Sequence, residues 1–119
     1  MTLDPEIQEL LNRAPRSGFF YHYKHDPSGP VNNYAYEVIG PGHHTEEGCR
    51  PEDAFMMSYR PLYESAFVYQ LGKINDHRPL AMWMGTVEKD GETIPRFKRI
   101  EDPVVIAELT TVRERMYGN

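Results

Sequence analysis

The sequence predicts a mainly β protein of the α+β class: a small, strongly bent antiparallel sheet or barrel with one helix at each end. Three observations carry that expectation. The chain holds 8 Tyr and 5 Phe beside 10 Pro and 9 Gly, a mixture that suits short twisted strands joined by turns. Its central apolar runs are short and broken by polar loops. Apolar stripes of helical period stand only near the two termini, each behind an Asp-Pro pair.

Asp4 is placed to cap the first helix, and Pro5 suits its first position because the missing N–H costs nothing there. Ile7, Leu10 and Leu11 form its stripe, and Pro15 and Gly18 end it. Such a helix is expected outside the β-core, over an edge or an open end. Residues 18–24, GFFYHYK, read as a strand. Phe20, His22 and Lys24 then share one face, and Phe19, Tyr21 and Tyr23 the other. Residues 26–33 are a loop by composition, and residues 34–40, YAYEVIG, form the partner strand of a hairpin. Residues 41–53 are polar and turn-rich. Residues 54–60, AFMMSYR, read as a third strand and residues 67–71 as a short fourth. Residues 71–78 read as loop. Residues 84–88 and 92–100 flank Asp90-Gly91, a strong hairpin signal. The last helix begins at Asp102 and Pro103, buries Val105, Leu109, Val112 and Met116 as one stripe, and closes at Gly118.

Composition limits the function. The 119 residues suit one domain, 1–119, with a core over 18–100 and flanking helices in 1–17 and 101–119. No stretch approaches the length of a membrane span, and the start shows neither a basic n-region nor an apolar h-region. One cysteine, Cys49, leaves no internal disulfide and fits a reducing, cytoplasmic setting. A net charge of -5 argues against a protein that coats nucleic acid.

Six stretches stand together in order. They are Gly18 to Lys24, Tyr36 to Gly40, His44-Thr45-Glu46, Tyr59-Arg60-Pro61-Leu62-Tyr63, Arg78 to Trp83, and Gly91 through Pro95-Arg96-Phe97 to Ile100. With them the chain resembles the domain-of-unknown-function family numbered 1653, a set of small bacterial proteins. The resemblance implies an SH3-like β-barrel core and no established activity. Departures fall in loops and ends: the segment from His25 to Asn33 is long, and Asn75-Asp76-His77 stands where the family has an aromatic before Arg-Pro. They put a common binding surface in doubt while leaving the fold expectation intact.

The polar residues of these motifs, His22, Lys24, Tyr36, His44, Glu46, Tyr59, Arg60, Arg78 and Arg96, are the candidate ligand-binding set. Arginine forks and imidazoles suit an anion or a polar heterocycle, and tyrosine rings supply a stacking wall. The plain alternative is that each ties down its own loop. The first functional expectation is a non-enzymatic binding module for a small anionic or heterocyclic ligand, or for a partner segment. A second is a small hydrolase using His22 or His44 oriented by Glu46. A third is a single-stranded nucleic-acid binder through the basic Arg96, Lys98 and Arg99 around Phe97. No metal set, cofactor motif, nucleophile elbow or phosphate loop is expected, since the two adjacent histidines lack ligand spacing and Cys49 stands among acids. The stripes also suit a homodimer through a terminal helix. Trp83 is expected to be buried, and Met56, Met57, Met82 and Met84 to fill the core.

Overall fold

The structure is a computed structural model and describes residues 3–118. Asp4 accepts the Glu6 N–H at 2.8 Å and starts helix α1, Pro5–Arg13. Strand β1, Gly18–His22, pairs antiparallel with β2, Ala35–His43. Strand β3, Phe55–Pro61, follows β2 after the loop that ends in a single 3₁₀ turn at Pro51–Asp53. A short helix α2, Ala66–Gln70, leads to β4, Asp76–Pro79, and to a four-residue helix α3, Leu80–Trp83. Then come β5, Thr86–Lys89, β6, Glu92–Pro95, and β7, Phe97–Arg99. Asp102 accepts the Val104 N–H at 2.9 Å and opens α4, Pro103–Tyr117.

Five strands form one antiparallel sheet in the order β4-β3-β2-β1-β7, while β5 and β6 pair separately. The protein is therefore α+β and mainly β, as expected, but the barrel does not close. Strands β4 and β7 remain free edges, and both are short. The principal extents of 44 × 36 × 24 Å describe a slab. The reason lies in strand alternation. Successive residues of β1, Phe19 and Phe20, are both buried, so neither sheet face is solvent. Phe20, Tyr36, Val38, Met57, Tyr59 and Phe97 pack on one face with Ala14, Leu80 and Trp83, under α1 and α3. Phe19, Ala35 and Leu62 pack on the other with Val68 and with Leu109, Val112 and Met116 of α4. Helical layers thus cover both faces of the sheet without its closing on itself.

Three local expectations are corrected. Residues 67–71 are not a strand: Ser65 accepts the Val68 N–H at 3.2 Å and caps α2 instead. The expected loop 71–78 contains most of β4, which pairs with β3 through Tyr59↔Asp76 and Met57↔Arg78. Met82 is not core filler; it is 47% exposed, whereas Trp83 is 3% exposed as expected. The Asp90-Gly91 hairpin forms, with both residues at positive φ (52° and 79°), as the sheet's right-handed twist favours. In β2 the register slips between Val38 and Gly40, which turns Ile39 outward.

Candidate functional site

The site grows from the loop end of the β1–β2 hairpin. His22 lies opposite Phe97 and on the same sheet face as Phe20. Its ring meets Phe97 edge-on at 5.1 Å and stacks on Tyr34 at 5.6 Å. Its Nδ1 accepts the Lys24 backbone N–H at 3.2 Å, so the neutral ring carries its proton on Nε2. Burial first, then the charges of Arg78, Lys24 and Arg96, hold the imidazole pKa down to about 4. At neutral pH His22 is therefore an uncharged donor beside three cations.

The long loop after β1 places Tyr34. Tyr21 donates its hydroxyl to the Val31 carbonyl at 2.5 Å, the rings of Tyr21 and His25 stack at 3.5 Å, and Asn32 bonds the Leu62 carbonyl at 3.0 Å. Tyr34 then adopts a positive φ of 51° while its carbonyl accepts the His22 N–H at 2.9 Å. With Asn33 and Tyr63 it lines a cavity of about 310 Å³. The aromatic wall continues inward. Tyr36 and Tyr63 share a hydroxyl hydrogen bond at 3.1 Å, and Tyr36 meets Tyr59 edge-on at 5.3 Å. Burial pushes the Tyr36 hydroxyl well above the ordinary phenol range, so it stays protonated.

Arg78 projects from β4 beside this wall. Its Nε donates to the Tyr59 hydroxyl at 3.3 Å and its Nη1 lies 3.5 Å from the Met82 sulfur. Arg96 holds its guanidinium 5.9 Å from the Tyr23 ring centroid, and its Nε is buried without a hydrogen-bond partner among the described residues. None of Lys24, Arg78 and Arg96 has a carboxylate within 4.0 Å among the described residues. Burial pushes Asp76 of β4 above the ordinary carboxylate range against the opposing pull of His77 and Arg78. Unneutralised cations next to π-faces and a fixed N–H donor suit a planar anionic ligand.

The remaining candidates lie elsewhere. Arg60 is on the opposite face, where its Nη2 and Nε each meet Glu37 Oε1 at 2.8 Å and its guanidinium sits 4.0 Å over Tyr117. Arg113 of α4 completes that cluster at 3.2 Å from Glu37, which makes it a clamp between sheet and helix. His44 follows the last residue of β2, and His22 pairs with the strand's first end, so the nine-residue strand separates them. His44 Nδ1 accepts the Glu46 backbone N–H at 3.2 Å, and the Glu46 side chain is exposed. Among the described residues no histidine has a carboxylate within 4.0 Å, so neither proposed imidazole–Glu46 pair is assembled. His44 instead shares a cavity with His43, Ser58 and His77. The basic strand also divides: Lys98 lies opposite Tyr21, while Phe97 and Arg99 lie opposite His22 and Phe20 on the other face. The nine sequence candidates thus split into a cluster of six (His22, Lys24, Tyr36, Tyr59, Arg78 and Arg96) and three outliers.

Sequence reasoning passed over Tyr34, Tyr63 and Asp76. Tyr63 closes the Tyr59-to-Tyr63 motif, and its value emerges only from the hydroxyl pair with Tyr36. Tyr34 and Asp76 were readable only once the hairpin register and β4 were known.

A family model described as "Protein of unknown function (DUF1653)" matches residues 18–99. No curated protein and no solved structure matches the chain.

Proposed function

We propose that this chain, which belongs to the DUF1653 family, is a binding module for a small planar ligand that carries an anionic group. The supporting observation is the convergence of Arg78, Lys24 and Arg96, without carboxylate partners among the described residues, on a neutral His22 at an aromatic wall. The anion would sit among these cations and accept from His22 Nε2–H. The planar part would lie against Tyr34 and Tyr63. The Tyr36–Tyr63 hydroxyl pair, which burial keeps protonated, adds no charge.

The test is a thermal-shift titration with adenosine and uridine monophosphates, phenyl phosphate and salicylate at fixed ionic strength. A probe at 100 times its dissociation constant should add about 2.7 kcal/mol of stability. We expect a shift in the wild type, its loss in Arg78→Ala, and its retention in His44→Ala, because His44 stands at the other end of β2. A shift that survives Arg78→Ala and His22→Ala but vanishes in His44→Ala would overturn the assignment.

A further inference from the structure

Toward the Gly18 end of β1 the same sheet face borders a second cavity, of about 230 Å³. Arg99 and Arg13 contribute its charged lining, and Phe20, Met84 and Phe97 its apolar walls, with Trp83 alongside. Arg99 is held in place. Its guanidinium lies 4.8 Å from the Phe20 ring centroid, and its Nη1 fills the space that a Cβ on Gly18 would take. Among the described residues no carboxylate lies within 4.0 Å of Arg99. Among the described residues Arg13 pairs only with Glu9, at 3.4 Å, through two largely exposed side chains, and Glu9 does not line the cavity. The ionisable side chains lining the cavity are both cationic donors. Beside them the Trp83 Nε1 is buried and has no hydrogen-bond partner among the described residues. A buried donor without an acceptor is costly, and an acceptor admitted by a small shift of the lining would relieve it.

We infer that this cavity is a second ligand site, which takes a small carboxylate on a short apolar stem. The carboxylate meets the Arg99 fork, where two parallel N–H bonds suit its geometry. The stem packs against Phe20, Met84 and Phe97. The cavity is open to solvent and smaller than drug-sized pockets, which suits a small ligand. The His22 cleft lies further along β1, and Phe97 borders both sites.

Trp83 is the only tryptophan in the chain, so its emission reports this cavity directly. Wild-type protein is titrated with isobutyrate and, separately, with inorganic phosphate, at ionic strength held constant with sodium chloride. We expect a saturable change in emission with isobutyrate and a weaker one, or none, with phosphate. Arg99→Gln should bind isobutyrate at least tenfold more weakly, and Arg78→Ala should bind it as the wild type does. If Arg99→Gln does not fold, Arg13→Gln takes its place, with binding expected to weaken severalfold. The inference fails if isobutyrate gives no saturable change, if only phosphate binds, if the arginine variant that folds responds like the wild type, or if Arg78→Ala abolishes the response.

Discussion

His22 shows how one residue is set by what surrounds it. Alone it would titrate near 6.5; beside buried rings and three cations it titrates near 4. The unfolded chain therefore binds the His22 proton more readily than the folded one between those two values. Acid then favours unfolding across that window, and the loss is complete once both states are protonated. His22→Gln keeps a hydrogen-bonding side chain without the titration. We expect it to flatten the decline in melting temperature between pH 6.5 and pH 4, measured on both proteins in parallel. An anionic ligand in the cleft would work the other way and raise the His22 pKa by offsetting Arg78. Glu37 gives the structural contrast. It pairs with Arg60 at 2.8 Å and with Arg113 at 3.2 Å, which ties the sheet to α4.

At the scale of elements, helices α2 and α4 do different work. Helix α4 puts Leu109 and Met116 almost wholly out of solvent against Phe19, Ala35 and Leu62. Leu109→Ala should cost about 3 kcal/mol, since a buried leucine loses both transfer energy and packing. Helix α2 is five residues long and buries only Val68, while its Phe67 is 66% exposed. Phe67→Ala should change stability by no more than about 0.5 kcal/mol. Denaturant titrations of the two variants against the wild type check both values. The terminal helices were legible because the Asp-Pro starts and the spaced apolar residues need no tertiary partner to be recognised. Helix α2 was not, because five apolar-rich residues carry no readable period, and only the Ser65 cap decides them.

For the whole molecule, the open sheet makes α4 indispensable. Truncation after Glu101 would expose Phe19, Ala35 and Leu62 along one face of the sheet. The truncated chain is expected to lose its near-ultraviolet circular dichroism and to bind a hydrophobic dye. Retention of a sharp melt would show that the face has another cover. The free edges are protected by brevity: β7 has three residues, and β4 has four and ends at Pro79. Among the described residues no helix is long and apolar enough to cross a membrane.

By itself the sequence determined the mainly β class, both terminal helices with their caps, the Asp90-Gly91 turn, the burial of Trp83 and the family. These are local signals: a cap, a turn dipeptide or a stripe acts over a few residues. Tertiary structure decided that the sheet stays open, that His22 feels the charges of Arg78 and Arg96, and that Arg60 and His44 lie elsewhere. Those outcomes depend on strand order and on which face each residue takes. A single bulge, or the pairing of β4 with β3, reassigns a side chain from one face to the other. Residue type proposes the chemistry of a site, but register decides which residues share it.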